Sequence, residues 1–97
     1  MIARVLRVDV PPEQIDAVVE VYRRNVRPIH ATAAGLRQHY VLVDRHTGRV
    51  EIIGIWESAN AVSEVAPTLE PARQRLWDQF GSNPQLEIYN VADDLRS

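Results

Sequence analysis

Gly54-Ile55-Trp56 closes a strongly apolar run, and a tryptophan beside a residue without a side chain can stack on a flat aromatic ligand over the hollow the glycine leaves. Tyr40, on the strand-like run that pairs with it, can supply a hydroxyl to the same place. Tyr22, Gln38, Ile52, Leu76, Trp77 and Phe80 complete the candidate lining. The competing reading is that Trp56 and Tyr40 fill core volume, Tyr40 covering the bare glycine. Arg4 and Arg7 lie at opposite parity on the first strand-like run, so each face of a sheet receives one guanidinium. A buried arginine must be paired; Glu51 and Glu87 are the partners within reach, and the functional alternative is an anchor for a phenolate or carboxylate.

His30, His39 and His46 show no metal-ligand spacing, and without cysteine a zinc site needs carboxylates that nothing places beside them, so no metal is expected. His39 is the histidine best able to reach an enclosed site as a base, yet the register derived below turns it to the opposite face. The four serines fall at caps, turns or the tail, and no Ser-His-Asp order emerges.

Composition removes further chemistries. All eleven basic residues are arginine, so Schiff bases, covalent pyridoxal phosphate and a P-loop lysine are excluded; the absence of cysteine excludes thiolate catalysis, disulfides and iron-sulfur ligation. The arginines are dispersed along a chain of net charge -2, which argues against nucleic acid or an anionic membrane as partner. Arg4 and Arg7 interrupt the N-terminal apolar stretch before a signal-peptide core can form, and a soluble, cytoplasmic protein is expected.

The elements that must position these residues follow from periodicity. Gly35 to Asp44 and Arg49 to Ser58 are β-branched, aromatic-rich runs joined by a short polar loop with one glycine, the pattern of a β-hairpin. With His46-Thr47-Gly48 as a three-residue connection and Gly48 left-handed, Arg45 faces Arg49, Leu42 faces Ile52, Tyr40 faces Gly54 and Gln38 faces Trp56. Ile2 to Val10 reads as a strand stopped by Pro11-Pro12, and Gln85 to Ala92 as the last strand. From Glu13, Ile15, Val18, Val19, Tyr22, Val26, Ile29 and Ala33 recur three or four apart as one helical stripe, which Pro28 kinks or divides. Ser58 caps a short helix to about Ala66, and after a break at Pro67 and Pro71 a second segment capped by Thr68 buries Leu69, Leu76, Trp77 and Phe80 before Gly81. Asp93 to Ser97 is a frayed tail. The order βαββαβ predicts a single α+β domain over residues 1–97: a ferredoxin-like split βαβ fold with a four-stranded antiparallel sheet and helices on one face.

Strands 2 and 3 are apolar at both parities, as in Ile52-Ile53-Gly54-Ile55-Trp56, so the second face of the sheet needs a cover. A domain of 97 residues buries only about 60 to 65% of its unfolded surface, and a second copy packed sheet to sheet is the simplest cover. A homodimer is expected.

Arg27-Pro28, Ala34-Gly35, the run Val41 to Gly48 and above all Ile55-Trp56-Glu57-Ser58 give the chain a resemblance to the antibiotic biosynthesis monooxygenase (ABM) domains of the dimeric α+β barrel superfamily. That resemblance implies a dimer whose sheets form a barrel, with an active site between sheet and helices of each subunit. Known members include cofactor-independent oxidisers of aromatic polyketides, haem-degrading enzymes and proteins without known activity. Trp56 matches the family tryptophan. The asparagine four residues before it and the tyrosine on the following helix are replaced by Ile52 and Val62, and the asparagine and histidine of the haem-degrading branch have no counterpart, which counts against haem degradation. The expectation is therefore a monooxygenase without cofactor acting on a small aromatic or polyketide-type substrate, with Tyr40, Trp56 and Arg4 as the catalytic residues. The alternative is a non-catalytic dimer that binds a small ligand or serves in an interaction.

Overall fold

Strict alternation along Ile2–Asp9 makes the first strand, β1: Arg4, Leu6 and Val8 are buried on one side, while Ala3, Val5 and Arg7 take the other. The computed structural model describes residues 1–96; Ser97, the end of the expected frayed tail, lies outside the described residues. Residues 93–96 belong to no helix or strand. After Pro11 a single 3-10 turn, Pro12–Gln14, leads into α1, Ile15–Asn25, and then α2, Arg27–Ala31. Pro28 divides the expected helix rather than kinking it. It occupies the second position of α2, where a backbone N–H has no intrahelical acceptor to lose. The buried stripe passes through the break unbroken, from Ile15, Val18 and Tyr22 to Val26 and His30.

The hairpin strands are β2, Leu36–Asp44, and β3, Arg49–Trp56; α3 spans Ala59–Phe80 and β4 spans Gln85–Asn90. The antiparallel sheet has the order β2-β3-β1-β4, and the three α-helices pack on the face that carries Leu6, Val8, Val50 and Ile52. This is the expected split βαβ arrangement, with β1 central.

Two expectations are corrected. The hairpin register is displaced by one residue: Asp44 pairs with Arg49, Val41 with Ile52, Tyr40 with Ile53 and His39 with Gly54. The loop is the four residues Arg45 to Gly48 because Asp44 starts the turn itself. Its carbonyl accepts the Gly48 N–H at 2.9 Å, and its carboxylate accepts the N–H groups of His46 and Thr47 at 2.9 and 3.2 Å. A bulge between Leu36 and Gln38 absorbs one extra residue at the far end. Since side chains alternate, the slip moves Gln38, Tyr40 and Leu42 to the face away from the helices and brings His39 and Val41 to the helical side.

The second correction concerns α3, which runs through Pro67 and Pro71 without the expected break. The donors lost at these positions would have bonded the carbonyls of Ser63 and Pro67, and Ser63, Pro67 and Pro71 lie four apart on one exposed stripe where water can take the freed acceptors. The opposite face, Leu69, Ala72, Leu76 and Trp77, is held in the core. The ends are as expected. Ser58 Oγ accepts the Ala61 N–H at 3.2 Å, and Gly81, at φ 63°, closes a Schellman pair in which Gly81 N–H and Ser82 N–H reach the carbonyls of Asp78 and Trp77.

Gly48 is the tightest point of the hairpin. At φ 85°, a Cβ there would lie 1.8 Å from the Val10 carbonyl oxygen, while the Gly48 carbonyl accepts the Val10 N–H at 3.0 Å. Gly48→Ala is expected to destabilise the fold by at least ~3 kcal/mol, combining left-handed strain with backbone overlap. Urea denaturation is the measurement, and a loss below about 1 kcal/mol would contradict this account of the turn.

Candidate active site

Three polar side chains converge where α1, α2 and β2 meet. Tyr22 and His30 lie two helical turns apart on the same stripe, separated by Val26, and the corrected register brings His39 up from the sheet. The Tyr22 hydroxyl lies 2.8 Å from His30 Nδ1 and 3.1 Å from His39 Nε2. Having one proton, it can donate to one ring and must accept from the other. The Tyr22 and His39 rings are stacked at an interplanar angle of 9°, and the two imidazole centroids are 4.1 Å apart.

These groups floor an open cleft of about 510 Å³. Its walls are Val19 and Ala31 from the helices and Leu36, Val41 and Val43 from β2, with Arg23, Arg27 and Arg45 also lining it. Behind the floor Arg4, from β1, and Arg73, from α3, are both about nine-tenths buried and share one carboxylate oxygen of Glu70, at 3.4 and 3.2 Å. Arg4 Nε and Nη1, His30 Nε2 and Trp77 Nε1 are buried without a hydrogen-bond partner.

Burial sets the protonation states. It lowers His30 to about 3, assisted by His39, Arg73 and Arg4, and lowers His39 to about 4, assisted by Arg73. It raises the Tyr22 phenol to about 12, against the opposing fields of Arg73 and Arg27. Arg73 comes down to about 10 through burial and then Arg4, with Glu70 opposing. At neutral pH the floor is therefore two uncharged imidazoles and a neutral phenol, backed by two guanidiniums and one carboxylate. Such a site sets uncharged hydrogen-bonding groups in front of fixed positive charge, an arrangement that suits an anion.

The residues expected from sequence divide into three groups. Tyr22 lines the cleft, and Arg4 and Trp56 lie behind it on the helical face of the sheet, Trp56 with its ring centroid 6.3 Å from that of His30. Ile52, Leu76 and Trp77 are core, with Phe80 packed at its margin. No hollow stands over Gly54: a Cβ there would lie 2.8 Å from Trp56 Nε1, so the indole itself occupies that space. Tyr40 and Gln38 face away from the helices, the Tyr40 hydroxyl donating to Gln38 Oε1 at 3.1 Å, because of the one-residue slip. Arg7 pairs with Glu51 at 2.8 Å and Glu87 at 3.2 Å on that same face, as expected, whereas Arg4 takes Glu70 instead.

His30, His39 and Arg73 were not among the expected site residues. The series Tyr22, Val26, His30 at four-residue spacing already places His30 on the buried stripe, and Arg73 falls four residues after Leu69 and four before Trp77. His39 depended on the register alone.

The sequence profile of the antibiotic biosynthesis monooxygenase family matches residues 1–64. The chain belongs to that family. Among curated relatives, the uncharacterized proteins Rv2557 and MT2634 of Mycobacterium tuberculosis, from strains H37Rv and CDC 1551, are each 30% identical over 90 residues. The match takes in 93% of this chain and 40% of theirs, so the chain spans about two fifths of the length of those relatives. Among solved structures, a mutant form of SnoaB, a cofactor-independent oxygenase from Streptomyces nogalater, superposes with a TM-score of 0.79 at 19% identity, covering 99% of this chain and 97% of that one. Rv0793 from Mycobacterium tuberculosis gives 0.77 at 14% identity, with 97% of each chain covered. At these identities the structures show that this ABM-family chain shares their fold.

Depressed histidines impose a pH dependence whose sign is opposite to that of a salt-bridged histidine. The unfolded chain takes up protons near pH 6.5 while the folded one resists them to about 4 for His39 and about 3 for His30. Stability is thus fully present above pH 6.5 and falls as the pH drops through that window, by up to ~1.4 kcal/mol per pH unit for each histidine. Urea denaturation between pH 7 and 4.5 should show this slope, and His39→Gln should make it shallower. Identical slopes in wild type and variant would mean that His39 titrates like a solvated imidazole.

Proposed function

We propose that this protein oxidises a small acidic aromatic molecule of the polyketide type with molecular oxygen, without flavin, haem or metal. The observation that carries the reading is the neutral Tyr22–His30–His39 cluster at the floor of an apolar-walled cleft, backed by Arg4 and Arg73 on a single Glu70. An uncharged imidazole offers an acceptor to an activated CH₂ or phenol, a weak base in the free protein that the developing anion beside it strengthens, and the surplus guanidinium charge behind it stabilises that anion. In the anthrone class that anion passes an electron to oxygen. The radical pair then combines into a peroxide, which loses water. The balance, R₂CH₂ + O₂ → R₂C=O + H₂O, needs no outside reductant, because the substrate carbon supplies all four electrons that reduce the oxygen molecule. The kinship with a family named for monooxygenases and the fold shared with SnoaB support this reading. A cytoplasmic location belongs to it as well; among the described residues no helix is long and apolar enough to cross a membrane.

Oxygen uptake with an anthrone tests it. His39→Gln is expected to slow uptake about 10²-fold, as removal of a proton acceptor does. Tyr40→Phe, on the other face of the sheet, should leave the rate within about two-fold of wild type. No uptake above the uncatalysed rate would overturn the proposal. One observation favours the second reading, a binding protein without catalysis. Ile52, where the polyketide-oxidising relatives carry asparagine, is sealed in the core and offers the cleft no polar group. Stoichiometric ligand binding without oxygen consumption would decide for it.

The same reading includes a homodimer. Tyr40, Leu42 and Tyr89 are about half exposed on the face away from the helices, beside Val5, Ile53 and Ile55, and a second copy would cover on the order of 1,600 Å² in total there. Ile53→Arg should yield monomers or aggregates in light scattering, since it places a further guanidinium in the middle of the apolar patch that a second copy would cover. A wild-type monomer at micromolar concentration would remove the dimer from the account.

A further inference from the structure

The chain carries a net charge of -2, yet the lining of its main cleft is cationic. Arg23, Arg27 and Arg45 line it together with His30 and His39, and no aspartate or glutamate does. Arg45 is committed to Asp16 at 2.8 Å, and the neighbouring Arg24 to Glu20 at 3.4 Å. Arg23 and Arg27 make no ion pair among the described residues, although the surface around them has carboxylates to offer. Arg23 follows Tyr22 directly near the end of α1, and Arg27 opens α2 just past the break at Val26; four residues apart, the two fall on one side of the helical run and both line the cleft. The field of Arg27 reaches the floor, where it opposes the rise in the Tyr22 phenol.

We infer that Arg23 and Arg27 form a carboxylate subsite at the mouth of the cleft, and that the ligand is an aromatic acid whose ring carries its carboxylate at the end remote from its acidic hydroxyl or methylene. This rests on reading the cleft as the substrate site and names the class of substrate. The flat body lies along Val19, Leu36 and Val41, the acidic group meets the Tyr22–His39 pair, and the carboxylate is held by the two free guanidiniums. The polarity follows from the protonation states: the neutral floor accepts a proton, while the permanently charged rim cannot and therefore selects charge already present on the ligand. Exposed arginines each contribute little, so the effect depends on two acting on one carboxylate in a cleft that no acid lines.

Isothermal titration of the full chain with a matched pair of bicyclic probes, 6-hydroxy-2-naphthoate and 2-naphthol, tests the inference without requiring turnover. The naphthoate should bind about ten-fold more tightly than the naphthol, a preference that shrinks as salt rises from about 0.05 to about 0.5 M. The double variant Arg23→Gln, Arg27→Gln should bring the two affinities together. Circular dichroism before titration verifies that it is folded, and each single variant should show an intermediate ratio. Equal affinities in the wild type, a preference that survives the double substitution, or no measurable binding of the naphthoate would each overturn the inference. Preferential naphthoate binding by a protein that consumes no oxygen with any anthrone would instead uphold the subsite and remove the oxygenase reading alone.

Discussion

The candidate site depends on which side of one pleat β2 presents to β3. Asp44 decides it. By accepting N–H groups from His46, Thr47 and Gly48 it takes four residues out of the ladder instead of three, and every side chain upstream changes face. His39 then meets Tyr22, and Tyr40 is sent to the other side. The bulge at the opposite end of β2 lets Leu36 join His39 on the helical side despite their odd spacing, which completes the apolar wall of the cleft. Remove the aspartate's three hydrogen bonds, and the remaining hydrophobic pattern, apolar at both parities, would not choose between the two registers.

Once His39 is placed, burial does the rest of the electrostatic work. Two imidazoles enclosed with a phenol are held uncharged because charging either would first cost its hydration and then set a cation near Arg73. The arginines are the costlier guests. Two guanidiniums on one Glu70 oxygen, with Arg4 Nε and Nη1 unpaired, is an arrangement that packing alone does not favour, since a buried charge lacking partners opposes folding. Positive charge in excess of its internal partners is what the proposed anion-holding interior needs, and on that proposal the cost to the free protein becomes an attraction for an acidic ligand.

The element order was readable because each signal was local and redundant: alternation in β1, the four-residue stripe through Tyr22 and Val26, Ser58 before α3 and Gly81 after it. The site was less readable for equally specific reasons. A loop of three residues and one of four, both ending in Gly48, have the same composition, and only the capacity of Asp44 to bond two and three residues ahead separates them. Pro67 and Pro71 read as breaks because proline usually is one; their placement on a single exposed stripe, visible from the spacing of four, is what spares the helix. The spacing of four put Arg23 and Arg27 on one side of the helical run, but nothing in the sequence showed that Arg45 would join them, since that depends on where the tip of the hairpin lies.

That proline stripe also divides α3 mechanically. All the buried residues of this helix, Leu69, Ala72, Arg73, Leu76 and Trp77, lie from Leu69 onward, while the turns before it are exposed or half-buried and lack the rung at Pro67, with a second rung, at Pro71, missing where the two halves join. The helix is thus anchored at one end and loosely laced at the other. Its first half can open and reclose at low free energy without disturbing Arg73 or Trp77, so amide protons ahead of Leu69 will exchange with solvent long before those behind it. Opening of that segment would therefore leave the buried arginine behind the neutral floor of the cleft in its place.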